Sequence, residues 1–136
     1  MRIMGIDYGD ARIGIAVSDI SATLVGDAWT LNERNFERAA EKIAEEASGR
    51  GVGRIVVGNP LNMDGTVGPR SEKCRDFAEL VREKSGLDVV MWDERRTTVD
   101  AHRILAENGR RAKDRKQTVD AVAALLILEG YLASLK

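Results

Sequence analysis

The chain has 136 residues, of which 43% are apolar and 32% are charged, and its formal net charge is −1. This length fits one domain over residues 1–136, and the composition is typical of a folded globular protein, which excludes a disordered chain. The single cysteine, Cys74, excludes an intramolecular disulfide and favours a reducing compartment, so we expect the cytoplasm. The longest apolar run, residues 121–128, is too short to span a bilayer, and residues 1–7 lack the pattern of a signal peptide. We therefore expect no membrane partner.

The first half of the sequence alternates short apolar runs with turn residues. Residues 2–7 form a predicted strand that ends on an acid, and residues 13–18 form a second, so we expect the two to pair as a hairpin. Residues 28–31 are a candidate third strand. Residues 35–48 carry apolar side chains at helical spacing and predict an amphipathic helix. The apolar run within residues 54–58 predicts a buried strand.

The second half combines helical patterns with one more apolar run. Its predicted elements are a helix over residues 69–84, a strand over 87–92, a helix from Thr97 or Thr98 to about residue 107, a basic loop over 108–116 and a helix over 119–135. Thr118 is the expected N-cap of the last helix. That helix is apolar around most of its circumference, which predicts deep packing.

The order of these elements defines the fold class. Strands that are separated by helices pair in parallel, whereas the opening hairpin pairs antiparallel. The sequence therefore predicts an α/β fold, with a mixed sheet that opens with an antiparallel hairpin and is flanked by helices.

Three acids stand where a site on such a sheet would need them. Asp7 ends the first strand, Glu94 follows the last strand, and Asp120 falls in the first turn of the predicted last helix. Sites in open α/β sheets form beyond the carboxyl ends of strands, so these side chains could converge. Spacing alone is also compatible with a structural role for each acid. Asp7 can belong to a turn, Glu94 can form a surface ion pair, and Asp120 can stabilise a helix N-terminus.

Carboxylates that converge repel one another unless a cation neutralises them. Hard oxygen ligands suit Mg²⁺ or Mn²⁺. A pair of such ions can activate a water molecule and stabilise the leaving oxygen in phosphodiester hydrolysis. If the three acids meet, they indicate metal-dependent hydrolysis.

Four segments of the sequence resemble one known family. They are GIDYGDARIGIAVSD at residues 5–19, VGNPLNMDGT at 57–66 with GPR at 68–70, DERRTT at 93–98 and VDAVAALLIL at 119–128. In this order they are similar to the YqgF (RuvX-type) proteins, which are described both as Holliday junction resolvases and as pre-16S rRNA nucleases. The resemblance covers nearly the whole chain. Arg96 departs from it, because many relatives have an apolar or aromatic residue at that position.

The resemblance implies a ribonuclease H-like fold and metal-dependent cleavage of nucleic acid. The implied role is 5′-end processing of pre-16S rRNA in ribosome biogenesis. The resemblance also implies that Asp7, Glu94 and Asp120 are the catalytic acids that bind Mg²⁺ or Mn²⁺. Asp93 competes with Glu94 for the second of these positions.

Four more residues are candidates for substrate binding. Arg12 follows the first turn and can meet a phosphate, or can be a solvated hairpin charge. Asn62 can donate to a phosphate or ribose group, or can belong to a turn built on Asn and Gly. Arg70 opens a helix, where its charge opposes the dipole, and this unfavourable position favours a ligand role. Arg95 can pair with Glu94 or bind substrate.

The expected partner is nucleic acid, either structured RNA or branched DNA, bound by a monomer or a homodimer. A Holliday junction resolvase is the alternative nuclease, and it should dimerise to place two sites on a symmetric junction. Sugar kinases and actin-like ATPases also begin with Gly-Ile-Asp-x-Gly on a related fold, but they need two such domains to enclose the nucleotide. A non-catalytic nucleic-acid-binding module is a further alternative. The basic residues within 108–116 either follow a nucleic acid backbone or form a solvated loop.

Overall fold

A computed structural model describes residues 1–96 and 115–135, without the side chains of residues 96 and 115–118. The strands are β1 (Arg2–Asp7), β2 (Arg12–Ser18), β3 (Val25–Asn32), β4 (Val52–Asn59) and β5 (Asp88–Asp93). The helices are α1 (Phe36–Gly49), α2 (Pro69–Ser85), a short 3₁₀ helix (Glu94–Arg96) and α3 (Arg115–Ser134). The helix predicted to end near residue 107 lies outside the described residues, as do residues 108–114 of the predicted basic loop.

The five strands form one mixed sheet in the order β3-β2-β1-β4-β5. The pairs β1–β2 and β2–β3 are antiparallel, whereas the pairs β1–β4 and β4–β5 are parallel. The predicted opening hairpin and mixed sheet are therefore confirmed. Because β1, β4 and β5 point the same way, all three end at one edge of the sheet, which we call the carboxyl edge.

Two strands, β3 and β4, are longer than the sequence predicted by three or more residues. β3 covers Val25–Asn32 instead of residues 28–31, because it pairs with β2 along its whole length although several of its residues are exposed. β4 begins at Val52 instead of residue 54, because Val52 pairs with Arg2 of β1. Pairing with a neighbour thus sets strand ends that the apolar pattern leaves open.

The alternation of side chains along the strands builds a core on each face of the sheet. Helices α1 and α2 cover one face, and the buried side chains there include Ile6, Ile15, Ile43, Val57 and Phe77. Helix α3 covers the other face, where the buried side chains include Ile3, Ala16, Val56, Ala124 and Leu128. The deep packing predicted for the last helix is therefore confirmed. Within the described residues, no helix combines the length and apolar character that crossing a membrane requires.

The helix ends follow ordinary capping rules, with one correction. The side chain of Asn35 caps α1 by accepting a hydrogen bond from the backbone N–H of Arg38 at 2.9 Å. Helix α3 begins at Arg115 instead of residue 119, so the predicted loop ends too late and Thr118 lies inside the helix instead of capping it. Arg, Lys and Gln are strong helix formers, which explains why the helix extends backwards into this polar stretch.

Candidate active site at the carboxyl edge

Asp7 is the last residue of β1 and lies partly buried at the carboxyl edge. The next side chain, Tyr8, is buried on the opposite face, where its ring centroid lies 4.4 Å from that of Phe77 and 6.0 Å from that of Phe36. These contacts anchor the end of β1. Because successive side chains on a strand alternate between faces, Asp7 is directed to the face that α3 covers.

Glu94 follows β5, yet it reaches Asp7 across the intervening strand β4. Gly58 of β4 makes this contact possible. A Cβ atom at Gly58 would lie 2.9 Å from Oε1 of Glu94 and 2.6 Å from Cδ1 of Ile127. The missing side chain leaves room for the Glu94 carboxyl group, which accepts a hydrogen bond from the carboxyl group of Asp7.

The electrostatics of this pair favour one shared proton. Burial is the main cause that raises the pKa of Asp7 to about 7, and the charges of Glu94 and Asp120 raise it further, against the lowering effect of Arg70. Burial also raises the pKa of Glu94, while the hydrogen bond from Asp7 and the charge of Arg70 lower it. Below about pH 7, Asp7 therefore keeps a proton that it donates to the Glu94 carboxylate.

Asp120 comes to the same edge from α3. Its backbone carbonyl lies against Gly14 of β2 so closely that a Cβ atom at position 14 would overlap the carbonyl oxygen. Its carboxylate accepts a hydrogen bond from Nε of Arg12 at 3.1 Å. Since α3 begins at Arg115, Asp120 lies in the second turn and not in the predicted first turn, where the helix dipole would act on it. The structure therefore gives little support to a purely dipolar role for this acid.

The three acids offer hard carboxylate oxygens, the ligands that Mg²⁺ and Mn²⁺ prefer. A divalent cation would also relieve the repulsion that is visible in the raised pKa of Asp7. Two of the acids are in contact, whereas Arg12 engages the third. Accordingly, in the described part of the chain no group of three or more His, Cys, Asp or Glu side chains is arranged to hold a metal ion. The chemistry of the donors fits such an ion, and the arrangement fits it for Asp7 and Glu94.

Asp93, the competitor of Glu94, faces another partner. Its carboxylate accepts hydrogen bonds from Nε of Arg95 at 3.0 Å and from Nη2 at 2.7 Å. Nη1 of Arg95 also donates to the backbone oxygen of Met63 at 3.4 Å. The geometry therefore favours Glu94 over Asp93 as the partner of Asp7, and Arg95 pairs with Asp93 instead of Glu94.

Asn62 belongs to the loop between β4 and α2. Its side-chain amide donates to Oγ1 of Thr66 at 2.9 Å, and its backbone oxygen accepts from the N–H of Gly65 at 2.8 Å. Gly65 has a φ of 88°, which a glycine adopts without strain. These bonds agree with the predicted turn, and the exposed Asn62 side chain stabilises it.

Arg70 lies beside the acids at the start of α2. Its Nη2 donates to the backbone oxygen of Tyr8 at 2.6 Å, and its charge lowers the pKa of Asp7. Lys73, which was not among the candidates from the sequence, donates to Oδ1 of Asp10 at 2.6 Å. Residues three apart share a helix face, so the spacing of Arg70 and Lys73 is the signal that could have found this second cation.

Arg12, the partner of Asp120, lines a cleft near the carboxyl edge. A cleft of about 350 Å³ lies beside Arg12 and is also lined by Asn32, Glu33 and Arg34. Larger clefts of about 470 and 490 Å³ share Arg50, and none of the three acids lines either of them. Cations at the carboxyl edge are compatible with a long, negatively charged ligand.

The sequence and the fold have close and distant counterparts among known proteins. Two curated proteins named "Putative pre-16S rRNA nuclease" are each 45% identical to this chain. The one from Thermoanaerobacter pseudethanolicus is covered to 99% by an alignment that spans 100% of this chain. The one from Bacillus thuringiensis is covered to 99% by an alignment that spans 98% of this chain.

Two solved structures share the fold. RuvC of T. thermophilus in complex with a Holliday junction substrate superposes with a TM-score of 0.67 at 12% identity, over 100% of this chain and 97% of the other. The Fowlpox virus resolvase in complex with Holliday junction DNA gives 0.63 at 14% identity, over 99% of each chain. At these identities the likeness shows the fold alone, and that fold is the ribonuclease H-like fold that the resemblance implied. Residues 1–134 match the RuvX family, described as "Holliday junction resolvase", and the chain belongs to this family.

Proposed function

We propose that this chain is a metal-dependent nuclease that hydrolyses phosphodiester bonds and processes the 5′ end of pre-16S rRNA in ribosome biogenesis. The observation that carries the proposal is the contact between the carboxyl groups of Asp7 and Glu94, with Asp120 close enough to raise the pKa of Asp7. The names of relatives that are 45% identical support the RNA precursor as substrate. The family match supports one nuclease domain over residues 1–136.

Asp7, Glu94 and Asp120 are the proposed ligands of Mg²⁺ or Mn²⁺. When bound, such a cation polarises the phosphate and makes a coordinated water molecule a better nucleophile. Asp7 would give up the proton that it shares with Glu94, because carboxylates bind cations in their charged form. Gly58 keeps the space open in which the Glu94 side chain can reach Asp7.

Arg12 and Arg70 are the proposed main contacts to backbone phosphates. Their side chains are 39% and 45% exposed at the carboxyl edge, and a guanidinium group keeps its charge at any physiological pH. Asn62 would bind substrate from the loop before α2. Arg95 would bind it from the short 3₁₀ helix after β5. Both already have partners within the protein, so we expect them to contribute less to binding.

The test is cleavage of an RNA precursor, a four-way DNA junction and single strands with Mg²⁺ or Mn²⁺. The wild type should cut the RNA precursor, and Asp7→Asn, Glu94→Gln and Asp120→Asn should each abolish cleavage with the circular dichroism spectrum unchanged. The matched control is Asp88→Asn, because this exposed acid pairs with Arg54 at the opposite end of β5 and should leave cleavage intact. If the wild type binds nucleic acid but cuts none of these substrates, a non-catalytic binding module is the better description.

The family description favours a Holliday junction resolvase as the second candidate. A resolvase needs two sites related by symmetry and therefore a dimer, whereas trimming of an RNA end needs only one site. Sedimentation as a dimer at the assay concentration, together with paired symmetric cuts in a four-way junction, would favour the resolvase. A monomer that cuts only the RNA precursor would exclude it. In either role we place the protein in the cytoplasm, where Cys74 would stay reduced.

A further inference from the structure

Arg12 and Asp120 form an ion pair between two distant parts of the chain. Nε of Arg12 donates to Oδ2 of Asp120 at 3.1 Å, across 108 positions of sequence. Arg12 opens β2, which runs antiparallel to β1 and so starts at the carboxyl edge. The pair therefore lies beside Asp7 and Glu94.

This ion pair separates Asp120 from the other two acids. Asp7 directs its carboxyl group to Glu94, while the Asp120 carboxylate is directed to Arg12. Among the described residues no three acidic or other ligating side chains are grouped to hold a metal ion. The contact with Arg12 therefore accounts for the incomplete ligand set.

The backbone beneath Asp120 has little freedom to change this arrangement. Its carbonyl oxygen rests on Gly14, so α3 cannot move closer to the sheet. With the helix in this position, a rotation of the Asp120 side chain can turn its carboxylate towards Asp7. For that rotation, Arg12 has to release its hydrogen bond.

Arg12 has both the exposure and the space to move. Its side chain is 39% exposed, compared with 22% for Asp120. The cleft of about 350 Å³ beside it is also lined by Arg34. Glu33 in this cleft already pairs with Lys42 at 2.7 Å, so it competes weakly for Arg12. A phosphate in this cleft would compete with Asp120 for the Nε–H group of Arg12.

We propose that Arg12 holds Asp120 away from the metal site until a backbone phosphate of the substrate binds the guanidinium group. This inference rests on the proposed nuclease function. Nucleic acid and divalent cation then bind cooperatively, because each favours the state in which Arg12 and Asp120 are apart. By thermodynamic linkage, the nucleic acid raises the affinity for the cation by the same factor as the cation raises the affinity for nucleic acid.

The first experiment measures Mn²⁺ alone, from the electron paramagnetic resonance signal of the free ion, without nucleic acid. Arg12→Gln should bind Mn²⁺ about fivefold or more tightly than the wild type, the lower end of usual coupling between sites. Arg70→Gln is the matched control, because the charge of Arg70 acts on Asp7 and Glu94 without holding Asp120. A larger gain in Mn²⁺ affinity for Arg12→Gln than for Arg70→Gln supports the proposal. Equal gains in affinity, or no gain for Arg12→Gln, overturn it.

The second experiment adds a phosphorothioate RNA, after its own Mn²⁺ binding has been measured separately. The RNA should tighten Mn²⁺ binding by the wild type but have little effect on Mn²⁺ binding by Arg12→Gln. The double variant Arg12→Gln/Asp120→Asn should lose the gain of the single variant, since the released carboxylate is gone. A gain that survives Asp120→Asn overturns the proposal. None of these measurements needs cleavage, so a protein that cuts RNA but fails them contradicts the role of Arg12 and not the nuclease function.

Discussion

Asp7 destabilises the fold at the pH where it is proposed to work. Its pKa in the folded protein is about 7, compared with an ordinary value of 3.8, because burial and the charges of Glu94 and Asp120 oppose ionisation. Between these two pH values the folded state binds a proton that the unfolded chain has already released. The free energy of unfolding therefore falls as pH rises through this window, and the loss is complete above about pH 7.

Asp7→Asn should consequently stabilise the protein in EDTA at pH 8. An asparagine keeps the hydrogen bond to Glu94 and removes the buried charge. Because one pKa unit corresponds to about 1.4 kcal/mol, the gain is expected to be on the order of a few kcal/mol at pH 8 and to shrink towards pH 4. Urea unfolding of both proteins at several pH values measures it.

Asp10→Asn is a control for which the free energy of unfolding should change in the opposite direction. The hydrogen bond and charge of Lys73 lower the pKa of the Asp10 carboxyl, so its ionised form is favoured in the folded state. Neutralising Asp10 should reduce the free energy of unfolding slightly at pH 8. This difference should disappear as pH falls below 3.8, the ordinary pKa of the Asp10 carboxyl. An unfolding free energy of Asp7→Asn that is equal to or below that of the wild type at pH 8 would contradict a destabilising charge in the buried acid pair.

Helix α3 carries an acid of the site, and its distance from the sheet depends on small residues beneath it. Gly14→Ala would drive a Cβ atom into the backbone carbonyl of Asp120. Overpacking against backbone costs about 1–3 kcal/mol or more, so we expect a loss of at least this size in urea unfolding. The variant should also cleave poorly, because the first turns of α3 have to move away from Asp7.

Gly26→Ala is the matched control in the same sheet. Its new Cβ atom would lie 3.6 Å from the backbone oxygen of Val17, an ordinary contact. We expect its stability to stay within about 0.5 kcal/mol of the wild type. If Gly14→Ala is equally harmless, α3 does not rest on β2 at this position.

At the level of elements, apolar periodicity was sufficient where packing on the core decides the structure. Strands β1, β2 and β5 and helices α1 and α2 agree with the prediction within a residue or two. The pattern failed at the edge strand β3, whose partly exposed residues are ordered by pairing with β2. It also failed at the start of α3, where residues without an apolar pattern continue the helix.

On the scale of the whole molecule, the sequence could place each acid at a strand or helix end, but not the contacts between them. The contact of Glu94 with Asp7 depends on β4 lying between their strands and on Gly58 leaving a gap there. The pair of Arg12 with Asp120 depends on α3 crossing β2, 108 positions away. Such contacts follow from the strand order, which local patterns do not contain.

The distribution of charge supplies the last prediction, because a net charge of −1 hides a cationic side of the site. Arg12, Arg70 and Lys73 lie at the carboxyl edge, where they can meet phosphates. Each phosphate contact that is lost lowers the slope of log affinity against log salt concentration by about 0.7 for single strands and 0.9 for duplex DNA. Lys73→Gln should therefore weaken nucleic acid binding and reduce this slope by slightly less than one.

Fluorescence anisotropy of a labelled RNA between low and physiological salt measures this slope. Lys84→Gln is the matched control, since this lysine lies on the same helix α2 but at its far end, paired with Glu37 at 3.4 Å and Glu41 at 3.5 Å. It should leave the slope of the wild type unchanged. If Lys84→Gln lowers the slope as much as Lys73→Gln, the nucleic acid does not follow the carboxyl edge. The basic side chains beside the acids would then be solvated charges and not a binding surface.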